Sequence, residues 1–338
     1  MLNKIRTKEV LHCKCCHSEG IYLYQSLQDR LFGVDGKWSV KQCVNQQCGL
    51  LWLDPMPIEE DLHKAYENYY THVDQSVAKK SLMSKATAGY KAYKYGFMLS
   101  ETNPIQRLLG RAFSLFGFLK EHMDYPFVHF KDLPKGKLLE LGSGSGDTLK
   151  LFKAWGWQAE GLDFDAKAVE NASGKGLLVH QGDIFSQKFE NNNFDAIFSS
   201  HVFEHVPDPE ALLNESYRAL KSGGVFVAVM PNSNSKLHKF FKSNWRELDP
   251  PRHLNIFSPI ALHHLVKKTK FKSFNITTGN YSATGVYLMS HAIAQDGKAD
   301  MFARPSLRSI AHLIHFYLGV THRFSPLSGE ELILVARK

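Results

Sequence analysis

Three groups of residues in this sequence could do chemistry: the run from Leu138 to Asp147, the stretch His201-Val202-Phe203-Glu204-His205, and five cysteines at positions 13, 15, 16, 43 and 48. In the first, the apolar Leu138-Leu139-Glu140-Leu141 leads directly into Gly142-Ser143-Gly144-Ser145-Gly146-Asp147. Glycine serves two needs in such a turn: unusual backbone angles, and a main chain that a ligand can approach without meeting a side chain. Amides at the start of the following helix then favour a negatively charged ligand group. In a dinucleotide fingerprint the third glycine would stand at Asp147, whereas here it comes one residue earlier, at Gly146. A Gly-Lys-Ser/Thr phosphate loop is absent as well, so the nicotinamide and nucleoside triphosphate readings both weaken. Asp163 closes the next apolar segment and Asp183 follows the one after it. Carboxylates at the ends of neighbouring parallel strands face a common crevice, where Asp163 can accept hydrogen bonds from ribose hydroxyls.

The second group matches the His-x-x-Glu-His pattern of a zinc peptidase, which needs its two imidazoles one turn apart on a helix. Val206-Pro207-Asp208-Pro209 follows at once and prevents a long helix, so that reading is set aside. An imidazole titrates near neutral pH, which makes His205 the candidate general base, with Glu204 orienting it or contacting the substrate. The plain alternative is that both shape a pocket. Farther on, Trp245-Arg246-Glu247-Leu248-Asp249-Pro250-Pro251-Arg252-His253-Leu254 has the composition of an acceptor-binding lip, or of a structural loop. His253 is a competing base there, and Arg252 is a candidate bidentate ligand for phosphate or carboxylate.

Cys13 and Cys16 place two thiols on one tight turn, and Cys43 with Cys48 can complete a tetrahedral zinc site. The second pair is separated by four residues instead of two, which leaves Cys15, His12 and His17 as alternative ligands. Four thiolates close the coordination shell, so the expected zinc is structural.

The elements that must position these groups fall into three zones. Residues 1–57 are expected to form a cysteine-rich module with short strands, such as Lys37 to Val44. Residues 58–130 carry Tyr66, Tyr69, Tyr70, Tyr90, Tyr93, Tyr95, Leu108, Leu109, Phe113 and Phe116 at helical spacings and are expected to form a helical cap. From residue 131 to 338, apolar runs alternate with amphipathic stretches, the pattern of a parallel sheet wrapped by helices. Strands are predicted at Lys137 to Leu141, Gln158 to Asp163, Leu177 to His180, Asp195 to Ser199, Val225 to Met230 and Leu332 to Ala336. Asp165, Asp208-Pro209 and Ser258-Pro259 are predicted helix starts, and Gly223-Gly224 a helix end.

Taken in order, Glu140 with Gly142, Gly144 and Gly146, then Asp163, Asp183, the stretch Phe194 to Val206 and the run Leu220-Lys221-Ser222-Gly223-Gly224-Val225-Phe226 resemble the class I S-adenosylmethionine-dependent methyltransferases. The resemblance covers about 200 residues, and an ordered set of motifs is more specific than any one of them. It implies a doubly wound, mostly parallel, Rossmann-like sheet of seven strands with the last antiparallel. It also implies cofactor contacts from Glu140, Gly142, Ser143, Gly144, Gly146, Asp163, Phe164, Asp183, Ile184, Ser200 and His201. In that scheme the glycine loop holds the methionyl end, Asp163 the ribose, and Asp183 with Ile184 the adenine, while Glu140 organises the loop through hydrogen bonds. The Trp245 to Leu254 loop and the amino-terminal cysteines resemble bacterial methyltransferases of sugar and polysaccharide biosynthesis, which implies a zinc-ribbon-like module. The implied acceptor is small and polar, a sugar nucleotide or lipid-linked glycan precursor.

Composition sets outer bounds. A chain of 338 residues with 43% hydrophobic content can bury a sizeable core, and its 41 basic against 33 acidic residues bias it towards anionic partners. The basic residues are dispersed, which argues against stable nucleic-acid binding and makes a zinc-ribbon RNA methyltransferase the lesser alternative, beside a non-catalytic cofactor-binding protein. No apolar run approaches membrane-spanning length, and a cytoplasmic location, peripheral to a membrane at most, is expected. The stretches from Leu108 to Leu119 and Ile310 to Val320 are apolar enough to touch a lipid-linked acceptor, with core packing their default role.

Overall fold

The computed structural model describes residues 5–67, 82–97, 102–115, 117–300 and 306–338, so Tyr69, Tyr70 and Phe116 lie outside the described residues. Five short strands come first: β1 (Thr7–Lys8), β2 (Gly20–Leu27), β3 (Trp38–Cys43), β4 (Leu51–Leu53) and β5 (Met56–Pro57). A 3-10 helix at Glu59–Tyr66 and helices α1 (Leu82–Tyr95), α2 (Pro104–Phe113) and α3 (Gly117–Asp124) follow. Next come β6 (Lys137–Leu141), α4 (Asp147–Ala154), β7 (Gln158–Asp163), α5 (Ala166–Gly174), β8 (Val179–Gln181), β9 (Phe194–Ser200), α6 (Pro209–Ala219) and β10 (Leu220–Pro231). The last part holds α7 (Lys236–Phe241), β11 (Asn255–Ile256), α8 (Pro259–Lys268), β12 (Ser273–Gly279), α9 (Ala283–Asp296), α10 (Leu307–His322) and β13 (Glu331–Arg337).

The large sheet has seven strands in the order β12-β13-β10-β9-β6-β7-β8. β6 pairs parallel with both β7 and β9, and β7 with β8. Leu138, Leu139 and Leu141 are all buried, as a strand covered on both faces requires. The order reverses at β6 and β9, the switch point beyond whose carboxyl ends sheets of this kind bind ligands. The final strand is inserted between β10 and β12.

Contacts divide the chain into two compact units, one of Met1–Tyr69, His201–Asn214 and Ala228–Leu334, the other of Tyr70–Ser200, Glu215–Val227 and Val335–Lys338. In the second unit, Phe127, Phe130, Phe152, Trp157 and Phe198 form an aromatic core of edge-to-face pairs with centroids 5.1 to 6.5 Å apart. A polar knot joins its helices: Asp124 accepts hydrogen bonds from Tyr90, Tyr95 and Lys94. Asp165 caps α5 by accepting from the Lys167 amide at 3.0 Å.

In the first unit, a four-stranded sheet runs β11-β4-β3-β2, with all three pairings antiparallel. The amino-terminal strands thus share a sheet with Asn255 and Ile256, and Trp38, Val40, Leu51, Leu53 and Met56 pack in one core with Trp245, Leu254 and Ile256. Ser258 caps α8 through the Ala261 amide and also donates to the Cys48 carbonyl.

Four sequence expectations are corrected. The third sheet strand begins at Val179 instead of Leu177, because Leu177 is drawn under Gly146. Helix α6 stops at Ala219, and Gly223-Gly224 lie inside β10, where they exchange backbone hydrogen bonds with Lys338. Core packing holds for only one face of the second apolar stretch, where Leu318 joins the core and Ile314 packs against it. Helix α10 buries only Ala311, His315 and Leu318, leaving Ile310, Leu313, Phe316, Tyr317 and Val320 exposed, and Leu108 and Leu115 are exposed too. No helix among the described residues is long and apolar enough to cross a membrane.

Candidate functional site

β6 delivers the glycine loop to the switch point. Gly142, Gly144 and Gly146 all have positive φ (65°, 51° and 81°), the left-handed region that costs glycine nothing. The loop is tied down by the Gly142 amide on the Leu162 carbonyl at 2.7 Å and the Gly146 amide on the Ser143 carbonyl at 2.9 Å. A Cβ on Gly146 would stand 2.3 Å from Leu177, whereas one on Gly144 would meet nothing within 4 Å. The backbone at Gly144 is therefore bare. Gly161 is also required by space, since a Cβ there would lie 2.4 Å from the Ser143 hydroxyl.

Asp163 ends β7 with one oxygen accepting from the Gly144 amide at 2.8 Å and the other from the Asp165 amide at 2.9 Å. Burial raises this carboxyl above its ordinary range, and those amides draw it partly back. The Phe164 amide acts on it in the same direction, and the carboxylate's remaining lone pairs can take a ligand hydroxyl. Phe164 follows with half its surface exposed, positioned to present a ring. Glu140, expected to organise the loop through hydrogen bonds, is buried, and its Oε2 has no hydrogen-bond partner among the described residues. Burial first, then the charges of Asp163 and Asp147, push its carboxyl well above the carboxylate range. The Ser143 hydroxyl is likewise buried and has no partner among the described residues. Asp183 is exposed and engages its own turn, accepting from the Ser186 amide at 2.7 Å, while Ile184 beside it is buried. Ser200, at the end of β9, shares a 2.6 Å hydrogen bond with the Tyr125 hydroxyl, a partner that no sequence spacing signals.

In the other unit, His201 follows Ser200 with φ of 53°, a strained conformation for a residue with a Cβ. Its Nδ1 lies 3.3 Å from Glu204 Oε1. Burial would lower the His201 imidazole, but the Glu204 charge prevails and raises it to about 9. Phe203–His205 makes a single 3-10 turn, so His201 and His205 do not share an α-helical face. Glu204 is fully buried; burial would raise it, yet His201, His205 and His253 together hold it at about 2. The His205 Nδ1 lies 3.0 Å from the Arg252 carbonyl and 2.9 Å from the Tyr66 hydroxyl. His253 is buried, with Nδ1 on the Glu247 carbonyl at 2.7 Å and its ring 4.6 Å from that of His205. Burial lowers both imidazoles, His253 farther because His205 adds to it. His205 keeps partial exposure and His253 does not.

Arg252 cannot bind an incoming anion. It is fully buried, and its guanidinium donates to both oxygens of Asp29, to Asp249 and to the Ala65 carbonyl. That bidentate pairing spans residues remote in sequence, which no local motif reveals.

Cys13, Cys16, Cys43 and Cys48 converge, with Sγ to Sγ distances of 3.5 Å for Cys13 and Cys48 and 3.3 Å for Cys16 and Cys43. Cys15, which is buried, and His12 and His17, which are exposed, lie outside this group.

Residues 115–274 match the family model described as a methyltransferase domain. An uncharacterized protein of Methanocaldococcus jannaschii is 24% identical over 147 residues, 44% of this chain and 70% of that protein. The ubiquinone biosynthesis O-methyltransferase of Paramagnetospirillum magneticum is 34% identical over 104 residues, 29% of this chain, and the chain spans only 42% of that enzyme's length. The solved phosphoethanolamine N-methyltransferase 2 of Haemonchus contortus, in complex with phosphomonomethylethanolamine and S-adenosylhomocysteine, aligns at 18% identity over 85% of this chain and 62% of that chain, with a TM-score of 0.46.

Proposed function

We propose, from the match of residues 115–274 to a methyltransferase domain, that this chain is a class I S-adenosylmethionine-dependent methyltransferase acting on a hydroxyl of a small polar acceptor, a sugar or glycan precursor. The observation that carries this reading is the bare backbone at Gly144 beside the Asp163 carboxylate. The donor would supply a sulfonium methyl that is already electrophilic. Gly142, Ser143, Gly144 and Gly146 would hold its amino-acid end, where Glu140 and the Ser143 hydroxyl are buried polar groups in want of partners. Asp163 would take the ribose hydroxyls, and Phe164, Asp183 and Ile184 would border the base. Ser200, at the end of β9, and His201, next to it in the chain, are proposed as further cofactor contacts.

What remains for the protein is to align the acceptor and remove its proton. His205 is the proposed base, because it is partly exposed and burial keeps it neutral near pH 7. Glu204 would stabilise the imidazolium formed, and His253 would buttress the His205 ring. Residues 58–130 are proposed as a cap and residues 131–338 as the catalytic domain. Cys13, Cys16, Cys43 and Cys48 would hold a structural zinc that fastens the knuckles flanking β2, β3 and β4. Their sulfur separations lie near the roughly 3.8 Å that tetrahedral Zn–S bonds of about 2.3 Å impose. The exposed apolar stripe of α10 favours an acceptor carried on a lipid, with the protein peripheral to the membrane.

The test is transfer of labelled methyl from S-adenosylmethionine into a cell extract fractionated into saccharide, lipid, RNA and protein. Label in the saccharide or lipid-linked saccharide fraction is expected. Label confined to RNA would replace the acceptor class, and none in any fraction would leave a binding protein without turnover.

A further inference from the structure

Beyond methyl transfer, the cluster of Glu204, His205 and His253 has unusual geometry of its own. One oxygen of Glu204 and one ring nitrogen of each histidine lie within 4.8 Å of one another. Glu204 is fully buried; its Oε1 pairs with the His201 imidazole at 3.3 Å, and among the described residues neither oxygen has a well-formed hydrogen bond. His201 offsets part of the cost of burying this carboxylate, and a second cation on the side facing His205 and His253 would offset more of it.

The two imidazoles are oriented from behind. The Glu247 carbonyl can only accept, so His253 Nδ1 carries the proton and Nε2 bears the lone pair. That lone pair faces Glu204 Oε1 at 3.9 Å and Asp249 Oδ2 at 3.8 Å, an arrangement repulsive with nothing between them. The Arg252 carbonyl, 3.0 Å from His205 Nδ1, favours the proton there, while the Tyr66 hydroxyl at 2.9 Å from the same nitrogen can serve either tautomer; His205 Nε2 makes no hydrogen bond to a described residue. A backbone carbonyl behind each ring is how proteins set the tautomer and aim of metal-binding histidines.

We propose that Glu204, His205 and His253 form a binding site for a divalent first-row transition-metal cation. Two imidazoles and a carboxylate suit such an ion, and three protein ligands leave positions open for water or for an oxygen of a ligand. Binding does not depend on the methyl-transfer reading; placing an acceptor hydroxyl on the open positions does, and would commit the His205 lone pair to the metal.

Manganese(II) is the probe, because it prefers nitrogen and oxygen donors and passes over the four thiols. Titration of the full chain, followed by loss of the free-ion EPR signal without donor or acceptor, is expected to give about one bound ion per chain. Pulsed EPR of that species is expected to contain couplings from two imidazole nitrogens. His205→Gln, at a partly exposed position, is expected to weaken binding at least tenfold while circular dichroism stays native, and Cys16→Ser to leave it unchanged. Wild-type protein that binds no manganese, bound manganese without nitrogen coupling, or a folded H205Q variant that binds as wild type would each overturn the site. Because no methyl transfer is read, failure of the acceptor assignment would leave these outcomes untouched.

Discussion

Asp163 Oδ2 accepts a hydrogen bond from the Gly144 amide at 2.8 Å, so the carboxylate proposed for the ribose also sets the glycine loop. Asp163→Ala would leave that amide without its acceptor and remove the ligand contact together. Losing a charge-assisted bond of this kind costs about 1.5–3 kcal/mol, roughly a 10- to 150-fold loss of affinity. Calorimetric titration with S-adenosylhomocysteine measures it; an unchanged affinity would separate Asp163 from the cofactor.

Gly144 and Gly146 share positive φ but differ in surroundings, and their alanine variants should differ in kind. Gly144→Ala meets only backbone strain and should lower stability by about 1–2 kcal/mol, with a larger loss of cofactor affinity as the methyl covers the bare backbone. Gly146→Ala adds a collision with Leu177 and should cost more, about 2–4 kcal/mol. Paired thermal melts and product titrations separate the two effects.

Arg252→Lys should destabilise the first unit by about 3–5 kcal/mol, since an ammonium cannot serve Asp29, Asp249 and the Ala65 carbonyl at once and leaves buried acceptors unpaired. Denaturant unfolding of wild type, R252K and Asp29→Asn measures this. A phosphate-binding arginine would instead alter ligand affinity and spare stability.

Glu330 is buried, accepts from the Trp245 indole at 2.7 Å, and is pushed well above the carboxylate range, chiefly by burial and then by Glu331 and Glu247. A folded pKa above the unfolded value of about 4.3 means the fold prefers the protonated group. That stability is fully present below the unfolded pKa and is lost as pH rises through the folded one. Glu330→Gln keeps an acceptor for Trp245, so its melting temperature should gain on wild type progressively as pH rises from the unfolded pKa. Melts at a series of pH values test the sign.

For the cysteine group, cobalt(II) added to metal-free protein should give the near-ultraviolet thiolate charge-transfer absorption of a four-sulfur site. Cys16→Ser should diminish it and lower the melting temperature. A chain that is folded, free of metal and indifferent to C16S would remove the proposed zinc.

Much of the large sheet was readable in the sequence because its central strands carry their own signal. Lys137–Leu141 and Gln158–Asp163 are apolar segments stopped sharply by Gly142 and Asp163, and the structure keeps those limits. Helix starts with a side-chain cap, at Asp165 and Ser258, were equally plain. Long-range partners were not. Arg252 reads locally as a free basic residue, and only the fold brings Asp29 to it; Tyr66 reads as a helical aromatic until its hydroxyl is seen on His205. Nor does a hydrophobic run say what covers it, which is why the exposed face of α10 was expected in a core.

The pairing of β4 with β11 bears on how the polypeptide acquires its shape. Residues 51–53 leave the ribosome long before 255–256, so the amino-terminal sheet waits with an open edge through most of synthesis, and its closure is a late, entropically expensive event. Newly made protein is accordingly most exposed to misassembly during that interval, and shortening the chain before Asn255 would leave the edge of β4 permanently without its neighbour.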